Sequence, residues 1–116
     1  MTITFRRPKY KAEPSIYNSV RYASRAEASR AAELDILLKA GRILAWFGQI
    51  TVRLGVPENI YRPDFLVIPS DGVPWFEDVK GFETPKFRRD KKLWKAYGRL
   101  ELRVIRNGGV VETITP

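Results

Sequence analysis

Apolar residues along this chain follow a helical period in two stretches and a strand period between and after them, so helices and strands can be placed from pattern alone. From Ser24 to Lys39, Glu27, Ala31, Leu34 and Leu38 fall on one stripe, with Leu37 beside them. Ser24 is the expected N-cap, Glu27 completes a capping box three residues later, and Gly41 lies just past the end. A second helix opens with Thr84 as N-cap and Pro85 at the first helical position. It closes near Tyr97, with Gly98 beyond and with Phe87, Leu93, Trp94 and Tyr97 as its buried side.

The strands are read from alternation and turn residues. Ile43 to Val56 is apolar and β-branched, too long for one average strand, and predicts a strand pair or a bent strand with Gly48 at the bend. Arg62 to Ile68 and Trp75 to Gly81 form a predicted hairpin about Pro69-Ser70-Asp71-Gly72. Leu100 to Ile105 and Val110 to Ile114 pair about Asn107-Gly108-Gly109. Met1 to about Ala23 shows no clear period and reads as an extended basic N-terminal arm over residues 1–23, to be ordered on the body or on a ligand, followed by one domain over residues 24–116. Tyr10, Tyr17 and Tyr22 in that arm either stack on nucleic-acid bases or pack on the domain, with packing favoured.

The hairpin brings chemistry together. Asp64, in Pro63-Asp64-Phe65, and Asp78, in Asp78-Val79-Lys80, sit on adjacent strands, and alternation points Asp78 and Lys80 the same way. Arg62, Asp64, Leu66 and Ile68 share one face, while Phe65 and Val67 share the other. An acid near a core needs a cation for company, either a lysine or a metal ion. Glu77 competes with Asp78, because a bulge shifting the register by one residue would exchange the two. Glu27 begins the inward face of the first helix, and its spacing suits a capping box as well as a third metal carboxylate. Gln49 is the polar residue within the Ile43 to Val56 run, placed to satisfy backbone at a bulge or to hold a water or a phosphate.

Composition narrows the chemistry. With no cysteine and no histidine, thiol nucleophiles, Ser-His-Asp triads, structural zinc sites and histidine-metal fingers are excluded. Oxygen-ligand chemistry remains, and it suits Mg2+ or Mn2+. The net charge of +8 gathers in two places. Arg6, Arg7, Lys9 and Lys11 crowd the N-terminus, and Lys86, Arg88, Arg89, Lys91, Lys92, Lys95 and Arg99 crowd the second helix, with Asp90 the one acid among them. A basic helix directly after a candidate active site predicts nucleic-acid binding. The chain shows neither a membrane-length apolar run nor a secretory signal, which predicts a cytoplasmic protein.

The order α-β-β-β-α-β-β, with an acid on the first helix, an acid on the middle strand and Asp-x-Lys on the next, resembles the PD-(D/E)XK nuclease superfamily. Tyr22-Ala23-Ser24-Arg25-Ala26-Glu27-Ala28, Ala40-Gly41-Arg42-Ile43, Gln49, Tyr61-Arg62-Pro63-Asp64-Phe65 and Glu77-Asp78-Val79-Lys80-Gly81 are similar to small phage-encoded endonucleases. Those proteins are often grouped with archaeal-type Holliday junction resolvases, which usually carry Glu where this chain has Asp78. The resemblance implies a mixed α/β core, with Glu27, Asp64 and Asp78 as the acidic metal-binding set, Lys80 as the catalytic lysine and Gln49 as an accessory group. It further implies a Mg2+-dependent homodimer acting on four-way or branched DNA, in the host cytoplasm if phage-encoded.

Overall fold

Both helices form where the pattern puts them, held by the caps it named. A computed structural model describes residues 1–5 and 15–116. Helix α1 spans Arg25–Lys39, with the Ser24 hydroxyl accepting the Glu27 backbone N–H at 3.1 Å. Helix α2 spans Pro85–Tyr97, with the Thr84 hydroxyl accepting the Phe87 N–H at 3.1 Å. These bonds satisfy amides that a helix start leaves without an internal partner.

The chain is an α/β protein with mixed sheets. Its strands, in order, are β1 (Thr2–Phe5), β2 (Ser15–Tyr17), β3 (Val20–Tyr22), β4 (Ile43–Gly48), β5 (Ile50–Arg53), β6 (Ile60–Tyr61), β7 (Phe65–Pro69), β8 (Trp75–Val79), β9 (Leu102–Arg106) and β10 (Gly109–Ile114). Five strands make the central sheet in the order β10-β9-β8-β7-β4. Its neighbours are antiparallel except β8 and β9, which run parallel because α2 carries the chain back between them. A smaller sheet joins β1, β5 and β6, and β2 pairs with β3.

The central sheet buries both faces. On one, Ala28, Ala31 and Leu34 of α1 meet Tyr22, Ile43, Phe65 and Val67. On the other, Phe87 and Trp94 of α2 meet Phe76, Leu102, Val104, Tyr61 and the small-sheet residues Ile50 and Val52. Phe76 and Asp78 therefore turn to the α2 side, while Glu77 turns to α1.

Several expectations are narrowed or corrected. Residues 1–5 and 15–23 order on the body, where β1 pairs along β5 and the β2–β3 hairpin packs on α1. These strands are three or four residues long, too short to display a period, and tertiary contacts hold them. Tyr22 is buried, its hydroxyl pKa pushed up to about 12 chiefly by burial, and Tyr17 donates to Asp35, so both are packing residues. Tyr10, Arg6, Arg7, Lys9 and Lys11 lie outside the described residues.

The Ile43 to Val56 run does break after Gly48, yet its halves join different sheets. The turn is made at Gln49, in the left-handed region at φ +59. The strand expected from Arg62 starts only at Phe65, because Pro63 has no N–H to donate to a ladder. The one expected up to Gly81 ends at Val79, although the Lys80 N–H still reaches the Ile105 carbonyl at 3.0 Å. Leu100 and Glu101 precede β9 rather than open it. Leu38 and Tyr97 are exposed instead of buried, and the inward stripe of α2 includes Asp90. Among the described residues no helix is long and apolar enough to cross a membrane.

Candidate active site

A cleft of about 370 Å³ opens where the C-terminal end of β8, the loop before β7, and the N-terminal ends of both helices meet. Glu27, Gln49, Asp64, Asp78 and Lys80 all line it, together with Tyr61, Arg62, Thr84, Lys86, Phe87 and Asp90. Each arrives by a local rule. Asp64 and Asp78 share the α2 side through strand alternation, in a register that sets Phe65 opposite Glu77. Lys80 lies two residues beyond Asp78, on the same side. Glu27 comes from the first turn of α1, and Gln49 from the left-handed turn between β4 and β5.

The register answers the choice between the two adjacent acids. β8 pairs without a bulge on either side. Glu77 points away from the cleft, where Arg30 of α1 grips it with Nε to Oε1 and Nη2 to Oε2, both at 2.7 Å. The Trp75 indole N–H adds a third bond at 2.9 Å. At 1% exposure Glu77 is a fully engaged structural acid, and Asp78 is the one that faces the cleft.

Asp78 is 3% exposed. Tyr61 donates its hydroxyl to Oδ2, and the Lys80 ammonium lies 3.4 Å from the same oxygen. Burial pushes the Asp78 pKa up to about 7, against the pull of Lys80, while the charges of Glu27 and Asp90 push the same way as burial. Burial is thus the main reason a charge on Asp78 is disfavoured, and Lys80 is the cation that offsets it.

Asp64 is fixed by backbone: its Oδ2 accepts the Val79 N–H at 2.7 Å, and its own N–H donates to the Glu77 carbonyl at 2.9 Å. The Ser24 half of the expected capping box forms, and the Glu27 Oε2 accepts the Ala23 N–H at 3.3 Å. The side chain thus leans toward the cleft mouth that Ala23 also borders. Oxygen donors of this kind suit Mg2+ or Mn2+. Among the described residues, however, no three acids stand close enough to form a ready-made cage for a metal ion.

Among the lining residues, Tyr61, Arg62, Thr84, Phe87 and Asp90 carry polar or aromatic groups that were not singled out from sequence as site residues. The signal for Asp90 was present, because it falls three residues after Phe87 and four before Trp94, on the buried stripe. It is 3% exposed and takes a 2.8 Å ion pair from Lys86.

The basic helix is sorted by its surroundings. Lys91 is held between Glu83 and Glu112. Lys86 is tied to Asp90 inside the cleft, and Arg88 lies 3.8 Å from Glu83. Arg89, Lys92 and Lys95 lie exposed on the outer side of α2. A shallow groove of about 480 Å³ between α2 and the end of β10 is bordered by Arg88, Lys91, Lys92 and Lys95. Family models, curated proteins and solved structures give no match to this chain.

Proposed function

We propose that this chain is a metal-dependent DNA endonuclease of the PD-(D/E)XK type, cutting phosphodiesters in four-way or otherwise branched DNA. The supporting observation is the meeting of Asp64, Asp78, Glu27 and Lys80 in one cleft, with Asp78 buried beside the Lys80 ammonium. A buried acid with a strongly displaced pKa, beside a lysine and inside a cleft, is a candidate functional group with a stated physical reason.

Asp64 and Asp78 would hold a Mg2+ or Mn2+ ion, with Glu27 as a third, more distant oxygen donor. When bound, the metal supplies charge to polarise a phosphoryl oxygen and to acidify a water. The rest falls to the chain. Lys80, 3.4 Å from Asp78, carries positive charge to the place where the attacked phosphate becomes more negative. Lys86, at the cleft wall, and the exposed Arg89, Lys92 and Lys95 bind backbone phosphates, which position a substrate without reading its sequence. Recognition is then by shape, and a symmetric homodimer presents one site to each strand of a four-way junction.

The deciding experiment incubates the protein and its Asp78→Asn variant with a labelled four-way junction and a matching linear duplex, in Mg2+, Mn2+ or chelator. Paired, metal-dependent nicks across the junction, absent in the variant, are the expected result. Equal cutting of both substrates would make it a general endonuclease. Binding without cleavage in either metal would leave a nucleic-acid-binding module in which Asp78 and Lys80 form a structural pair.

A further inference from the structure

Lys80 is held by more than a carboxylate. Its ammonium lies 4.8 Å from the centre of the Phe87 ring, within the range of a cation–π contact. The ring is buried at 3% exposure on the first turn of α2, and it stacks on Tyr61, the residue whose hydroxyl engages Asp78. A second ammonium, that of Lys91, lies 5.3 Å from the same ring, and Glu83 and Glu112 clamp Lys91 from the loop before α2 and from β10. Two cations and one acid-binding tyrosine thus converge on a single phenyl ring.

We propose that Phe87 is a positioning residue that holds Lys80 in place for phosphodiester cleavage while leaving its charge undiminished. The inference rests on the nuclease reading and adds a residue to it. The chemistry favours an aromatic partner for this task. A second carboxylate beside Lys80 would anchor it, yet would also cancel the charge that the transition state needs. The face of a phenyl ring attracts the ammonium through its quadrupole and carries no net charge. The N–H groups not engaged by Asp78 can then turn toward a phosphate. Lys80 remains 30% exposed along its side chain, so the ring anchors it without sealing it off from the cleft.

Fluorination tests this without disturbing shape, since each fluorine on the ring weakens the quadrupole and hardly alters its size. Phe87 is replaced by mono-, di- and trifluorinated phenylalanine. Single-turnover cleavage, KM and melting temperature are then measured in the wild-type and Lys91→Met backgrounds. The expected result is a stepwise fall in kcat, reaching roughly tenfold at three fluorines, with KM and melting temperature steady and the same slope without Lys91. Phe87→Tyr and Phe87→Trp, which keep a π face, should cleave better than Phe87→Leu at matched folded fraction. A flat fluorine series in an active enzyme would overturn the proposal. So would a slope that vanishes in Lys91→Met, because the ring would then be acting through Lys91. Wild-type protein that cuts no DNA in any metal would instead remove the nuclease reading and this inference with it.

Discussion

Arg30 and Glu77 form a two-pronged ion pair across the interface between α1 and β8, with both nitrogen–oxygen distances at 2.7 Å. The pair ties Glu77 to the α1 side, while the adjacent Asp78 faces the cleft on the α2 side. Removing one partner of a buried pair strands the other charge, so Glu77→Gln is expected to cost about 3 kcal/mol of stability. The folded fraction should still cleave DNA. Asp78→Asn should do the reverse, keeping or raising stability and abolishing cleavage. Urea titrations alongside a nicking assay on the same samples check both.

Proton binding should make the metal-free protein less stable as pH rises. Asp78 carries a pKa of about 7 in the fold, far above the usual aspartate value, so the folded state holds a proton that the unfolded chain has lost. Stability from this group is complete below about pH 4 and is lost progressively up to about pH 7. Asp78→Asn should flatten that stretch of the curve. Metal binding competes with the same proton, so affinity for Mg2+ is expected to rise through neutrality. Melting curves across pH, with and without Mg2+, read out both effects.

Gln49 occupies a left-handed conformation that glycine adopts without penalty. Gln49→Gly should therefore be more stable than Gln49→Ala by about 1 kcal/mol. If the amide serves the reaction, both variants should lose cleavage equally, despite their different stabilities. Recovery of activity in the glycine variant would assign Gln49 to the backbone turn alone.

Exposed and tethered lysines of α2 should separate in a salt titration. Arg89→Ala and Lys92→Ala are each expected to weaken DNA binding and to reduce the slope of log affinity against log salt by about 1. Lys91→Ala should leave the slope nearly unchanged and lower the melting temperature, because Lys91 already spends its charge on Glu83 and Glu112. Fluorescence anisotropy over a salt series distinguishes the two classes.

Long periodic elements were legible in the sequence, and short contextual ones were not. The caps at Ser24 and Thr84 and the turn at Asn107-Gly108 stand where their residue types placed them. β6, with two residues, and the β2–β3 turn at Asn18 and Ser19 left no readable signal, since non-glycine residues seldom take positive φ. Separation of β4 from β5 into different sheets depends on partners far along the chain, which no local window contains. Asp64, Asp78 and Lys80 could be grouped because two strands and one turn suffice to join them. Tyr61 and Phe87 could not be read as site residues, because each looks like an ordinary core aromatic until the two sheets are brought together.

The cleft lies along the seam between those sheets, which the chain crosses at Gln49 and which Tyr61 crosses again to reach Asp78. This arrangement sets limits on how descendants of the sequence can drift. The exposed turns spanning 56–59 and 70–74 lie away from the cleft, so gene copies can gain or lose residues there with little consequence. A single residue inserted between Glu77 and Asp78 would turn Asp78 to the α1 face and carry Val79 to the cleft side. Length is therefore inherited most strictly at the seam, and homologues from distant lineages should align there without gaps even where their remaining residues have diverged.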